Sequence, residues 1–419
     1  MTGDPTLDPA LRSWVPVSEG SDFPIQNLPY GVFLRGGAPP HVGVAIGGGV
    51  LDLGELALAG SFDDLEVPAE VFLASSLNPF LALGLPAWRA VRGRVCELLG
   101  EPDRRIRDDP ELARRVLVPI DEAVLLMPIE VGDYVDFYSS IEHATNLGRM
   151  FRPEGEPLLP NWRRLPVGYH GRSRTVVVSG TPIRRPHGQV EAGGEVRWVP
   201  TSALDFELEV GFVTGPGNAL GEPIPIERAA EHIFGLVLVN DWSARDVQRF
   251  EYQPLGPFLG KSFATSISPW VVPLDALAPW RVPPPLQAPE PAAYLRTGEP
   301  WGLDVSLEDE LGGATISRTS MRALYWTIAQ QLAHATSNGA AAGPGDLFAT
   351  GTISGTEPDS LGSMIELTRR GERPLELPDG STRTFLEDGD EVVLRGWCEA
   401  PDRPRIGFGE VRGRVLPAH

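Results

Sequence analysis

The chain has 419 residues, room for two or three domains at roughly 150 residues each, and its composition, 42% hydrophobic and 22% charged, is that of a folded protein with a sizeable core. Its 36 basic residues face 56 acidic ones, and the net charge of -20 excludes nucleic acid and anionic membrane as general partners, since both need a basic footprint. Cys96 and Cys398 support neither a disulfide framework nor a thiolate zinc site. With no apolar spanning run and no leader pattern, the reading is a cytoplasmic protein.

Residues 1–60 read as short strands and turns. Runs 31–34 and 42–46 are apolar and bounded by Gly and Pro, with Gly47-Gly48-Gly49 as turn material, which is the pattern of a small β-barrel. From residue 78 the period lengthens: Trp88, Val91, Val95 and Leu98 or Leu99 share a helical face that Gly100 ends. A boundary between residues 119 and 128 gives an N-terminal domain over 1–122 and a C-terminal domain over 123–419. The remainder is mainly β. Residues 205–213 alternate, with Phe206, Leu208, Val210 and Phe212 on one face and Asp205, Glu207 and Glu209 on the other. A short helix is expected over 226–232, a strand over 236–239 and a Pro-rich surface loop over 279–300. The strongest helix is expected over 320–338, capped by Ser320, with Met321, Leu324, Ile328 and Leu332 inward and Asn338-Gly339 as its stop.

Four carboxylates carry the first chemical signal. Glu207 and Glu209 are two apart on a strand and share a face; taken alone, such a pair is ordinarily a solvated outer surface. Asp241 closes an apolar strand, at a carboxyl end where functional side chains often sit, and Asp136 lies among aromatics. Hard oxygen ligands with no cysteine and little histidine nearby suit calcium or magnesium rather than zinc. His143 follows Asp136 by seven residues, and histidine is the commonest general base at neutral pH. There is no Gly-x-Ser-x-Gly elbow, P-loop or dinucleotide fingerprint. Of the basic residues 35 are arginine and one, Lys261, is lysine. Its persistence against an arginine-rich bias marks a position where the shape of the cation matters.

Several blocks together resemble the fumarylacetoacetase family: residues 133–140 (DYVDFYSS) with 143–146 (HATN), 165–172 (LPVGYHGR), 240–246 (NDWSARD), 254–263 (PLGPFLGKSF) and 351–355 (GTISG). The resemblance runs from about residue 120 to the C-terminus, and the β-rich first part suits the family's small N-terminal domain. It implies a mainly β (α+β) fold, with an SH3-like N-terminal barrel and a large C-terminal mixed β-sandwich or β-roll. The implied activity is hydrolysis of a carbon–carbon bond in 4-fumarylacetoacetate, a small diketo acid, to fumarate and acetoacetate. That is the last step of tyrosine and phenylalanine breakdown, and the implied assembly is a homodimer. Position by position, Asp136, Glu207, Glu209 and Asp241 would hold a divalent cation, usually calcium, while Lys261 and Thr265 with Asp241 are linked to magnesium. His143 would be the general base, polarised by Glu366. Tyr138, Arg152, Gln248, Tyr252 and Thr352 would contact substrate, and Arg245 and Tyr169 would help line the pocket.

The chemistry asks for these groups. Water must attack one ketone, and the departing carbanion is tolerable only as an enolate, so the site needs a base and concentrated positive charge. Arg245, Gln248 and Lys261 suit the tetrahedral oxyanion, and Arg152 and a cation must offset the negative chain locally. Two other readings stand beside this one: a related metal-dependent enzyme acting on acylpyruvates or on another 2-oxo acid, and a silent member that only binds ligand. The N-terminal barrel and Arg152 argue against the first, and the intact His143 and Glu366 against the second.

Overall fold

Between residues 30 and 52, apolar runs are cut by turns at Gly36, Gly37, Gly47 and Gly48, so only short antiparallel strands can form. In the computed structural model, which describes residues 4–419, these are Tyr30–Arg35, His41–Ile46 and Gly49–Asp52. Leu117–Pro119 pairs with Gly49–Asp52 and Ala123–Leu125 with Tyr30–Arg35, completing the curled five-stranded sheet of a small N-terminal β-barrel. The helix Leu85–Leu99 buries Trp88, Val91, Val95, Leu98 and Leu99 as its spacing requires, and Gly100 caps its end. Gly84, at φ 82°, separates it from the short helix Asn78–Leu81. Trp88 reaches across to Phe234, edge to face at 5.1 Å, so the apolar cluster of the small sheet continues into the larger one through Val213, Val237 and Val239.

The large sheet is mixed. Its strands run in the order Gly168–His170, Tyr134–Phe137, Leu347–Ala349, Leu208–Thr214, Ile233–Asp241, Thr265–Ile267 and Val176–Val178, with Val272–Pro273 pairing beside Ile233–Asp241. A second sheet, in the order Ala314–Ser320, Ser306–Leu311, Glu391–Ala400, Arg403–Leu416 and Ile183–Arg184, packs over the face bearing Val210, Phe212, Leu236 and Leu238. This is the expected mainly β architecture. Among the described residues no helix is long and apolar enough to cross a membrane.

Two expectations need correction. The alternation over 206–212 is real, but the face of Glu207 and Glu209 is not solvated, and Leu208–Thr214 is buried throughout. Val213 on that face packs into the N-terminal cluster, so both sides of the strand are covered. The helix expected over 320–338 is broken. Ser320 ends a strand and caps a single 3₁₀ turn, Met321–Ala323, after which Leu324 is extended. The α-helix is Ile328–Thr336, opened by a capping box in which Thr327 and Gln330 satisfy each other's backbone donors. The spacing of Met321 and Leu324 with Ile328 arises from burial in two separate elements. The 279–300 loop carries only the end of the 3₁₀ helix Leu274–Trp280, the short strand Arg281–Val282 and the turn Ala293–Leu295.

Candidate active site

Sheet register gathers the acidic residues. Asp136 stands opposite Ala349, which precedes Gly351 and pairs with Gly211, two residues beyond Glu209. Asp241, at the end of the next strand, faces Thr265. The backbone N–H of Gly351 donates to Glu209 Oε2 at 3.0 Å. Only glycine serves at residue 351: φ is 78°, and a Cβ would lie 2.2 Å from the Phe137 carbonyl oxygen. Asp136, Glu209 and Asp241 bring one carboxylate oxygen each within 4.8 Å of one another.

Glu207 is not part of that cluster. Its carboxylate is taken by Arg245 Nη1 at 2.7 Å and by Lys261 Nζ, so of the four carboxylates read from the sequence three cluster and Glu207 stands beside them, paired with two cations. Burial would raise the Glu207 carboxyl, but Lys261 and Arg245 outweigh it and hold the group below its usual range. Lys261 also donates to Asp241 Oδ2 at 2.9 Å, and Thr265 Oγ1 donates to Asp241 Oδ1 at 2.8 Å.

Arg172 completes the set, and no residue-type rule singled it out. Its Nη2 donates to Asp136 at 2.8 Å and to Asp241 at 2.7 Å, and its Nη1 to the Tyr169 hydroxyl at 2.6 Å. The guanidinium lies 4.8 Å from the Tyr134 ring and 5.0 Å from that of Tyr169. Its backbone is left-handed, φ 62°, a conformation retained here under contacts on every side. Arg172→Ala strips two buried carboxylates of their shared cation. It should lower stability in denaturant unfolding of the chelated protein by about 3–5 kcal/mol; an unchanged midpoint would contradict this.

The donor set suits a divalent cation. Asp136 Oδ1 and Glu209 Oε1 are buried with no hydrogen-bond partner, although their second oxygens are occupied. Five buried carboxylates (Asp136, Asp205, Glu207, Glu209, Asp241) face three buried cations (Arg172, Arg245, Lys261), which leaves two negative charges uncompensated. The excess charge favours proton uptake when no ion is bound. Burial pushes Asp136 up to about 6 against the pull of Arg172, and burial together with Asp136 and Glu207 pushes Glu209 well above the carboxylate range.

Across the cavity stands a second constellation. Ser140 caps the helix Ile141–Phe151 and so fixes its first turn, which carries His143. His143 is 2% exposed, and its Nδ1 lies 2.6 Å from Glu366 Oε2. Glu366 also accepts from Asn146 at 2.9 Å, Ser354 at 2.9 Å and Ser363 at 2.7 Å. Burial disfavours its charge, yet His143 and these donors hold its carboxyl below the usual value. An ionised carboxylate only accepts, so Nδ1 carries the proton and Nε2 keeps its lone pair.

His143, Tyr138, Arg152, Tyr169, Gln248, Tyr252, Lys261 and Thr352 line one cavity of about 490 Å³ together with Asp136, Glu207 and Glu209. Arg245, expected as a lining group, sits behind that wall instead. It is 3% exposed and fastened to Asp205 at 2.7 Å, and its Nη1 donates to Gln248 Oε1 at 3.2 Å. Thr265 likewise reaches the site only through Asp241. Asn146, Ser354, Ser363 and Asp205 are supporting groups that sequence reasoning left unassigned.

A buried histidine–carboxylate pair and a cluster of three carboxylates able to hold a cation meet at one cavity in a mainly β fold, an arrangement compatible with a hydrolase. Residues 26–128 match the model of the fumarylacetoacetase N-terminal domain, and residues 134–416 that of the fumarylacetoacetate hydrolase C-terminal domain. The fumarylacetoacetase of Rattus norvegicus is 52% identical over 415 residues, covering 97% of this chain and 99% of its own, and that of Caenorhabditis elegans is 51% identical, covering 97% and 100%. A fumarylacetoacetate hydrolase from psychrophilic Exiguobacterium antarcticum shares the fold, with a TM-score of 0.52 at 18% identity over 94% of this chain and 100% of its own. The chain belongs to the fumarylacetoacetate hydrolase family and is a hydrolase.

Proposed function

We propose that this chain hydrolyses 4-fumarylacetoacetate to fumarate and acetoacetate in a divalent-cation-dependent reaction, as the last step of tyrosine and phenylalanine breakdown in the cytoplasm. The observation that carries this reading is the His143–Glu366 pair facing the Asp136–Glu209–Asp241 cluster across one cavity. His143 Nε2 takes a proton from water, whose oxygen bonds to the carbonyl carbon at the fumaryl end. Glu366 stabilises the imidazolium so formed. Lys261 Nζ and the Gln248 amide donate to the developing oxyanion, with Arg245 holding Gln248 in place. When the tetrahedral carbon collapses, the carbon–carbon bond breaks, its electron pair leaves on the acetoacetate side, and His143 returns a proton there. Arg152, Tyr138, Tyr252 and the unpartnered Thr352 hydroxyl supply contacts for the substrate's oxygens. Asp136, Glu209 and Asp241, with Glu207 beside them, would hold a divalent cation, calcium or magnesium, which would supply Lewis-acid charge to the site.

Chelation should abolish activity, and calcium or magnesium should restore it; full activity in metal-free protein would contradict this. Glu209→Gln should weaken cation affinity, because it removes a charge and a ligand oxygen. The pH dependence has a definite sign. In the metal-free fold Asp136 titrates near 6, well above an unfolded aspartate, so the folded state binds the extra proton. Stability of chelated protein should therefore fall as pH rises through about 4–6. The cation competes with the same protons, so calcium affinity should rise over that range. Thermal unfolding and calorimetric titration at several pH values read both trends, and a calcium affinity that weakened with pH would be inconsistent with the assignment. Exposed Phe250, Leu255, Phe258 and Leu259, close together in the chain, with Leu255 lining the cavity, support a homodimer. Sedimentation as a monomer would count against that part alone.

A further inference from the structure

Beside the catalytic cavity lies a second one, of about 430 Å³, walled by Phe151, Phe250 and Phe385 and by three arginines, Arg245, Arg249 and Arg370. Phe151 and Arg249 face both cavities, so the two adjoin. We infer that this second cavity binds the carboxylate of a small organic acid.

The arginines are placed for it. Arg245 lines the cavity as a buried side chain whose Nη2 has no hydrogen-bond partner. Its Nε and Nη1 are committed to Asp205, Glu207 and Gln248, which leaves Nη2 as its one uncommitted nitrogen. Arg370 is held over the Phe151 ring at 5.9 Å, and its Nη1 donates to the Met150 carbonyl at 2.7 Å. Among the described residues neither Arg249 nor Arg370 forms an ion pair, although acids outnumber bases by 20 in this chain and most surface arginines end on a carboxylate. Two acids face the same space. Asp246 is already occupied by the Thr201 hydroxyl, the Ser202 N–H and hydroxyl and the Val247 N–H. Glu191 is exposed on the hairpin strand His187–Ala192 and pairs with neither arginine. Guanidinium forks at an apolar-walled recess are suited to carboxylate recognition, and the volume fits a small dicarboxylic acid.

The carboxylate has two sources: a free dicarboxylic acid of product size, or the second carboxylate of the substrate as it passes Phe151 and Arg249. The latter source rests on the function proposed above; the former does not. Succinate, an inert dicarboxylate, is titrated calorimetrically into wild-type, Arg370→Gln and Arg370→Lys protein, and kcat and KM are measured for each at low and high salt. Arg370 does not line the catalytic cavity, so differences between variants report on the second one. For a free acid, Arg370→Gln weakens succinate binding by about tenfold or more, Arg370→Lys regains part of it, and kcat without succinate is unchanged. For the substrate's own carboxylate, Arg370→Gln lowers kcat/KM and its salt dependence, again with partial recovery in Arg370→Lys. If Arg370→Gln folds normally by circular dichroism and alters neither succinate binding nor kcat/KM, the cavity is not a carboxylate site.

Discussion

Replacing His143 by alanine is expected to lower kcat by about 10²–10⁴-fold with KM little changed, the range for a lost general base. The expectation rests on proton placement. Glu366 is saturated with donors from His143, Asn146, Ser354 and Ser363, which keeps it an acceptor and leaves the imidazole lone pair on Nε2. No other group lining the cavity combines a neutral lone pair with such a partner. Glu366→Gln should lower kcat less, since the serine donors can reorient while the amide still positions the ring, and it should shift the acid limb of the pH–rate profile. A His143→Ala enzyme that kept most of its kcat would mean that another residue activates the water.

The second large effect is expected at Lys261. Lys261→Arg should fold yet lose most of its kcat, and Lys261→Ala should do no better, with a loss of about 10²–10³-fold, as for other oxyanion donors. The ammonium sits buried between Glu207 and Asp241; Arg245 holds the other Glu207 oxygen, Thr265 the other Asp241 oxygen, and Arg172 shares Asp241 Oδ2 with Lys261. A planar fork is wider than an ammonium, and it cannot reproduce three rotatable donors around one nitrogen. Lys261→Ala should also destabilise the protein by about 3–5 kcal/mol, because it leaves buried carboxylates unpaired. Kinetics with circular dichroism as a fold control separate the two effects. Near-normal kcat in Lys261→Arg would show that the lone lysine reflects codon history.

What the sequence disclosed follows the range of the interactions. Helix Leu85–Leu99 and the 206–212 alternation were legible because each repeats within a few residues. Asp241 was legible as the polar end of an apolar strand. The solvated reading of Glu207 and Glu209 failed because what meets them, Arg245 and Lys261 at Glu207 and Gly351 at Glu209, comes from distant parts of the chain. The 320–338 helix failed because Ser320 caps only a single 3₁₀ turn, Leu324 is extended, and the α-helix starts afresh at the Thr327 cap. The pairing of His143 with Glu366, 223 residues apart, was reachable only through family resemblance. Arg172 stood in a quoted motif, but its role depends on Asp136 and Asp241 meeting across three strands. The withdrawal of Arg245 behind Gln248 is a matter of side-chain direction, which motif position does not encode.

The most direct test is to follow the absorbance of 4-fumarylacetoacetate, alongside an acylpyruvate panel, with chelated protein before and after calcium or magnesium is added. The expected result is loss of the 4-fumarylacetoacetate signal only with the cation, with fumarate and acetoacetate formed in equal amounts and acylpyruvates turned over far more slowly. Absorbance that stayed constant with the cation present, or that fell equally fast in the chelated protein, would contradict a cation-dependent carbon–carbon hydrolase built on His143 and the Asp136–Glu209–Asp241 cluster.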